Sequence, residues 1–277
     1  MFKTFALLVG WITLPQSIYA LQPLKVAANA ERPRIGIDPV ADYVIPIVRD
    51  GGGYSTSFFL SNRDSGSLHL AVYFVAADGT PLSLGIQDMG PTTAVPVELA
   101  VNQSATFQTT GESASAVDGY AMVFSFDRPA TDPGATVKIG LFSGQATFMK
   151  SMNGVSVEAL APISSGFETT SAVAFDNTGG YSTAIILVNT DPYNVTDATL
   201  TIRDRSGNML QKDDVMLTPG TKQCISLATQ YPSTAGQTGR VFVSGSGPYL
   251  TPIALRVNGT GGFTTLLPWS IDSRLMP

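Results

Sequence analysis

The chain has 277 residues, 44% of them hydrophobic and only 13% charged, with a formal net charge of −5. That balance supplies material for sizeable cores and leaves a surface of neutral polar side chains, as in all-β extracellular-type proteins rather than helical cytosolic ones. No stretch is basic enough to track a phosphate backbone, which excludes nucleic acid as a partner.

Residues 1–20 read MFKTFALLVGWITLPQSIYA: one Lys, an apolar run from Phe5 to Thr13, a proline break and then small residues. Those are the three parts of a secretory signal peptide. Cleavage after Ala20 suits the length of the last part, and Ala28-Asn29-Ala30 offers a second site with small residues in both required places. A membrane anchor needs a longer apolar run, and no Cys follows the run to accept a lipid. Removing residues 1–20, which hold Lys3 and no acid, takes the net charge from −5 to −6. The expected product is exported, whether secreted, periplasmic or at the cell surface, with no membrane span after signal removal. Residues 21–42 read as an extended lead segment.

From residue 43 the chain says nearly the same thing twice. GGYSTSFFLSN (52–62) returns as GGYSTAIILVN (179–189), 127 residues later. Before it lie VIPIVRDGG (44–52) and SAVAFDNTGG (171–180). After it come LHLAVYFVAADGTPL (68–82) and DATLTIRDRSGNML (197–210), then LAVNQSATFQ (99–108) and LTPGTKQCIS (217–226). GYAMVFSFD (119–127) matches GRVFVSGSG (239–247), and ATFMKSMNGVSVEALAP (146–162) matches IALRVNGTGGFTTLLP (253–268). The order is kept throughout, which predicts an internal duplication.

Each piece is short, rich in Val, Ile, Phe, Tyr and Thr, and bounded by Gly, Pro, Asn or Asp turns, the pattern of strands. No window repeats apolar residues at helical spacing. The expected fold is therefore all-β: two tandem Ig-like β-sandwich modules, 43–165 and 169–273, joined at Ser164-Ser165-Gly166. So short a link leaves no room for independent tumbling, so the modules are expected to pack end to end or side by side. Within the repeated string, Tyr54, Thr56, Phe58 and Leu60 share one face, as do Tyr181, Thr183, Ile185 and Leu187. The glycine pair predicts a hairpin turn with positive φ, and Asn62 and Asn189 suit the exit of a strand into a loop.

Gly52 to Asn62, Gly179 to Asn189, the DGTPL turn from Asp78 to Leu82 and the LTPG turn from Leu217 to Gly220 resemble a group of secreted bacterial β-sandwich proteins with tandem repeats. The resemblance spans nearly all of the mature chain. It implies export and fold; the group is largely uncharacterised and carries no assigned activity or catalytic residues.

The residues that carry chemistry are few. His69 is the single histidine, so a two-histidine zinc site within one chain is impossible. A Ser-His-Asp triad would have to use His69, which lies on the polar side of LHLAVYF, and no GxSxG elbow supplies a nucleophile. It reads as an exposed strand histidine. The five glutamates, Glu31, Glu98, Glu112, Glu158 and Glu168, show no pairing of the kind glycoside hydrolysis needs. Most aspartates fall in turns, where they cap backbone amides. GGG at 51–53 leads into a strand, not a helix, and so makes no phosphate cradle. Asp176-Asn177 with Asp191, or Asp213-Asp214, offer hard oxygen ligands for calcium, without the spacing of a DxDxDG loop. Cys224, the lone cysteine, reads as a small buried hydrophobe.

No catalytic residue, metal or cofactor is expected. The binding candidates are aromatic: Trp269, the only tryptophan after residue 20, with Tyr181 and Tyr54, since such rings stack on sugar faces. The alternative role for these rings is to close the ends of the sandwich cores. The expected function is a non-enzymatic structural, adhesive or surface-recognition protein whose partner is a cell-surface protein or polysaccharide. The alternative is a carbohydrate-binding module or weak glycan-active enzyme. The regions where the copies diverge, 127–135 and 190–197, are where a distinguishing feature is expected.

Overall fold

A computed structural model describes residues 43–152, 154–165, 170–247 and 249–271. The expected signal peptide and lead segment, Gly166 of the expected link, Glu31 and Glu168 lie outside these residues.

The described chain is almost entirely strand. The first half holds β1 (Tyr43–Asp50), β2 (Tyr54–Asn62), β3 (Leu68–Ala76), β4 (Leu84–Ile86), β5 (Gly90–Thr92), β6 (Ala94–Leu99), β7 (Ser104–Gln108), β8 (Val117–Phe126), β9 (Phe142–Met152) and β10 (Val155–Pro162). The second holds β11 (Thr170–Asp176), β12 (Tyr181–Asn189), β13 (Thr196–Asp204), β14 (Met209–Leu217), β15 (Lys222–Ser226), β16 (Thr238–Gly245), β17 (Leu250–Asn258), β18 (Phe263–Leu266) and β19 (Trp269–Ser270). Among the described residues the helical pieces are α1 (Leu227–Gln230) and a 3-10 turn at Pro232–Thr234.

The strands form antiparallel sheets with the orders β1-β8-β3-β6 and β10-β9-β2-β7 in the first half. The second half has β14-β13-β16-β11-β19 and β15-β12-β17-β18. Position for position, β11-β16-β13-β14 follows β1-β8-β3-β6, and β18-β17-β12-β15 follows β10-β9-β2-β7. The β4–β5 hairpin is an addition of the first half. In each half the chain after the last long strand folds back onto the first. Val44 and Ser164 exchange hydrogen bonds of 2.7 and 2.8 Å, and Trp269 pairs with Ala172 on β11.

Sandwich-like packing follows from strand alternation. In β2, Thr56, Phe58, Leu60 and Asn62 are buried while Ser57 and Phe59 face solvent. Phe58 stacks on Phe107 from β7 (4.7 Å between centroids) and meets Phe74 from β3 of the opposite sheet (5.6 Å). The second core gathers Val173, Phe175, Ile185, Leu187, Leu200, Ile202, Ile225 and Val241.

The expected hairpin is local only: Gly51 and Tyr54 exchange hydrogen bonds of 2.9 Å across the first glycine pair, and Tyr181 N donates to Thr178 O (2.9 Å) across the second. Gly52 (φ 58°), Gly53 (φ 87°), Gly179 (φ 58°) and Gly180 (φ 82°) do make tight positive-φ turns. The strands they join, however, belong to opposite sheets: β1 pairs with β8 and β2 with β9. A hydroxyl holds each corner. Thr56 Oγ1 accepts from Arg49 N (3.0 Å) and donates to Arg49 O (2.6 Å); Thr183 Oγ1 does the same with Asp176 (2.9 and 3.0 Å). The hydroxyl occupies the place of a ladder partner, so the chain can turn between layers without stranding backbone groups.

The two halves also share apolar interior. Ile186 and Val188 of β12, Ile253 and Leu255 of β17 and Phe263 of β18 belong to one continuous buried cluster with the first core. Phe263 stacks on Phe148 of β9 at 5.0 Å. β1 is accordingly buried on both faces from Val44 to Val48, the near-continuous apolar reading of a strand covered on two sides.

Candidate functional site

The repeated string is spent on scaffold. Asn62 is 1% exposed and Asn189 is fully buried. Asn62 Nδ2 donates to the carbonyls of Gly66, Leu99 and Ala100 at 2.8, 3.2 and 3.0 Å. Asn189 Nδ2 donates to those of Asn194, Leu217 and Thr218 at 2.9, 3.2 and 3.1 Å. Each Oδ1 accepts from the backbone two residues on, at Asp64 and Asp191. One amide side chain thus ties together two loops in each half, and no polar atom of it is left for a ligand.

The three aromatic candidates do not meet. Tyr54 is half-buried at the start of β2. Arg49 (5.1 Å) and Lys150 (4.9 Å) lie over its ring, and Phe263 of the second half is 6.2 Å away. Tyr181 is 37% exposed with the Arg256 guanidinium 3.5 Å above its ring. Arg256 is itself paired to Asp176 at 2.6 Å. Tyr181 lies opposite Asn258 and Phe263 lies opposite Val257. Successive residues of β17 point to opposite faces, so Tyr181 and the Tyr54–Phe263 pair sit on different sides of that sheet. Trp269, 45% exposed, belongs to the other sheet of the second half.

His69 is half-buried rather than exposed. It stands opposite Glu98, with Nδ1 3.8 Å from that carboxylate and no hydrogen bond to it. Glu98, Glu112 and Glu158 are exposed on separate elements. The calcium groupings come apart. Asp176 precedes β12 and Asp191 follows it, so they lie at opposite ends of a nine-residue strand, about 30 Å long at the usual rise. Among the described residues no three His, Cys, Asp or Glu side chains cluster. Asp176 accepts from Thr178 (2.6 Å) and Asp191 from the amides of Tyr193 and Asn194 (2.8 and 2.9 Å). The Thr178 hydroxyl first, then Arg256, hold the Asp176 carboxyl below its ordinary range. Burial pulls Asp191 upward, but its three hydrogen bonds prevail and it too lies low. Asp213 accepts from Tyr231 (2.7 Å) and Asp214 from Thr199 (2.6 Å). In the divergent segment 127–135, Asp127 and Asp132 face Arg128 at 3.4 and 3.9 Å; in 190–197, Asp191 caps its own loop. Both are loop-stiffening arrangements.

The polar cluster that sequence reasoning missed lies at the junction. Asp118 of β8 binds Arg49 Nε through Oδ1 at 3.0 Å and Lys222 Nζ through Oδ2 at 2.8 Å. Lys222 comes from β15 of the second half; its side chain is 1% exposed, and Nζ also donates to Gly119 O at 2.7 Å. Its backbone N donates to Ala77 O (2.9 Å), and Tyr120 Oη donates to Gly220 O (2.7 Å). Burial lowers the Lys222 pKa, with Asp118 opposing it and Arg49 reinforcing it. Burial works to lower the Arg49 pKa, but Asp118's hydrogen bond and charge outweigh it, so the pKa is raised. Cys224 is corrected from buried to exposed. It pairs with Ile186 two positions from Lys222, at the rim of the junction, where partial desolvation raises its thiol pKa against the pull of Lys222. A raised thiol pKa is the opposite of what activates a cysteine nucleophile.

No family model matches the chain, and no curated protein matches it. A crystal structure of Momordica charantia 7S globulin is similar at 9% identity, covering 78% of this chain and 72% of that one. Its TM-score of 0.18 is too low to carry an argument.

Proposed function

We propose that the chain is an exported, non-enzymatic protein with a structural, adhesive or surface-recognition role. It consists of two Ig-like sandwich modules that arose by internal duplication. They are Ig-like in having two antiparallel sheets around a core; the strand order is the chain's own. The matching strand orders of the two halves and the identical bonding of Asn62 and Asn189 support the duplication. The observation that carries the role is the fate of the polar groups. Asn62 and Asn189, Thr56 and Thr183, and the turn aspartates Asp64, Asp78, Asp176, Asp191 and Asp204 bond to turns, corners and loop carbonyls, which is the work of a scaffold. No described helix is long and apolar enough to cross a membrane.

The test is adhesion of the mature chain, coated on beads, to cells and to purified surface polysaccharides. The structural and adhesive reading expects retention to survive Trp269→Ala and Tyr181→Ala. A second reading, a carbohydrate-binding module, draws on the exposure of Trp269 (45%) and Tyr181 (37%). Saturable polysaccharide binding lost on either substitution selects it. Turnover of a glycan substrate overturns the non-enzymatic reading altogether.

A further inference from the structure

The junction between the halves contains three kinds of contact. One is apolar: Ile186, Val188, Ile253, Leu255 and Phe263 against the first core. Such contacts are non-directional, so they hold two faces together without strongly choosing their relative angle. A second is neutral hydrogen bonds: Lys222 N to Ala77 O, Tyr120 Oη to Gly220 O and Thr265 Oγ1 to Leu160 O. The third is the charged cluster, whose loss costs most because it is desolvated. Lys222 can keep its partners only where β15 brings it simultaneously to Asp118 Oδ2 (2.8 Å) and Gly119 O (2.7 Å). Any rotation of one half on the other leaves a buried ammonium unpaired, a state strongly disfavoured in a low-dielectric setting.

Three further observations point the same way. Asp118 is pre-positioned from within the first half by Arg49 at 3.0 Å. Gly79, at a turn of the first half, packs against Gly220 so closely that an added Cβ meets Gly220 O at 2.9 Å. And the cluster is not repeated at the matching positions of the other copy, where the one charged residue, Asp176, pairs with Arg256 of its own half. Thr56 and Thr183 bond the backbones of Arg49 and Asp176 respectively, Gly119 and Gly239 match, and Asn62 and Asn189 bond Gln103 and Thr221. On that register Arg49, Asp118 and Lys222 correspond to Asp176, Thr238 and Ser104. The three charges therefore serve the junction and not the module.

We infer that Arg49, Asp118 and Lys222 form an orientation latch: the apolar faces make the two halves adhere, and the latch selects the single angle at which they do so. The latch is a conformational device independent of what the protein binds. Residual dipolar couplings on the mature chain test it. In the parent, amides of both halves fit one alignment tensor. In Asp118→Asn and in Lys222→Met each half keeps its strand chemical shifts, but the two require separate or mutually rotated tensors. The residue-222 amide, bonded to Ala77 across the junction, then exchanges with solvent about tenfold faster, while the Asn189 amide, bonded within its own half, is unchanged. Should either single variant fail to fold, the double variant Asp118→Asn/Lys222→Met leaves no fully buried charge orphaned, since Arg49 is 30% exposed, and carries the same measurement. One tensor with the parent's orientation in the variants overturns the latch.

Discussion

β2 and β12 carry almost the same words and meet different surroundings. Their inward residues agree: Thr56, Phe58, Leu60 and Asn62 on one, Thr183, Ile185, Leu187 and Asn189 on the other, all buried. Their outward residues do not. Ser57 and Phe59 of β2 face water, Phe59 at 41% exposure, whereas Ile186 and Val188 of β12 are buried against the first half. The junction thus draws on the outer face of β12 and on the second face of β1, since each inner face is committed to its own core. The same logic applies to the Arg49–Asp118–Lys222 cluster, which stands at the junction and is not repeated at the matching positions, where Asp176 pairs within its own half.

The comparison breaks most sharply at Ile186 and Phe59, which hold equivalent places. Ile186→Asp puts an unpaired charge into the shared interior and is expected to cost about 4 kcal/mol or more, read by chemical denaturation. Phe59→Asp lies on an open face and should change stability by less than about 0.5 kcal/mol. Equal losses at both positions would show that the halves are not joined through β12.

Asn62→Ala and Asn189→Ala test the part that is the same. Each removes three buried donor bonds, so each is expected to cost about 3 kcal/mol, with the two values within error of one another. A loss at one position only breaks the equivalence of the copies.

Acid bears on both halves. Asp64, Asp78 and Asp127 of the first and Asp176, Asp191 and Asp204 of the second all titrate below the ordinary aspartate value when folded. For a depressed carboxyl the stabilisation is complete above the unfolded pKa and is lost as pH falls through the folded one. Stability is therefore expected to decline below pH 3.8, the ordinary value. Asp191→Asn should flatten that acid limb, since Asp191 is 6% exposed and least screened. Smaller losses than at Ile186 belong to the paired tyrosines. Tyr181→Ala removes one exposed cation–π contact and should cost about 0.5–1 kcal/mol. Tyr54→Ala also loses the contact with Phe263 of the other half and should cost about 2 kcal/mol.

Much of this was legible in the residues. Alternation in YSTSFFLSN and YSTAIILVN marked the inner faces correctly, because a half-buried strand imposes a period of two on its side chains. Gly52-Gly53 and Gly179-Gly180 marked tight turns, because positive φ is cheap only for glycine. The hairpin reading failed beyond the turn itself. A positive-φ turn fixes the reversal of the chain but not whether its two strands pair with each other, and the hydroxyls of Thr56 and Thr183 decide that. Cys224 was misread because its run of neighbours is apolar, although the strand ends at a rim.

Lys222 was the hardest to see. In KQCIS it looks like any surface lysine on an edge strand; only the approach of Asp118, 104 residues earlier, turns it into a buried ion. The sequence by itself determined strands, turns, repeated inner faces and loop-pinning asparagines, all of which depend on neighbours a few residues away or on a strict period. The tertiary structure alone decided which outer face is covered, which charges are desolvated and at what angle the halves meet. Those depend on contacts between distant segments, and burial is a property of what arrives from elsewhere in the chain.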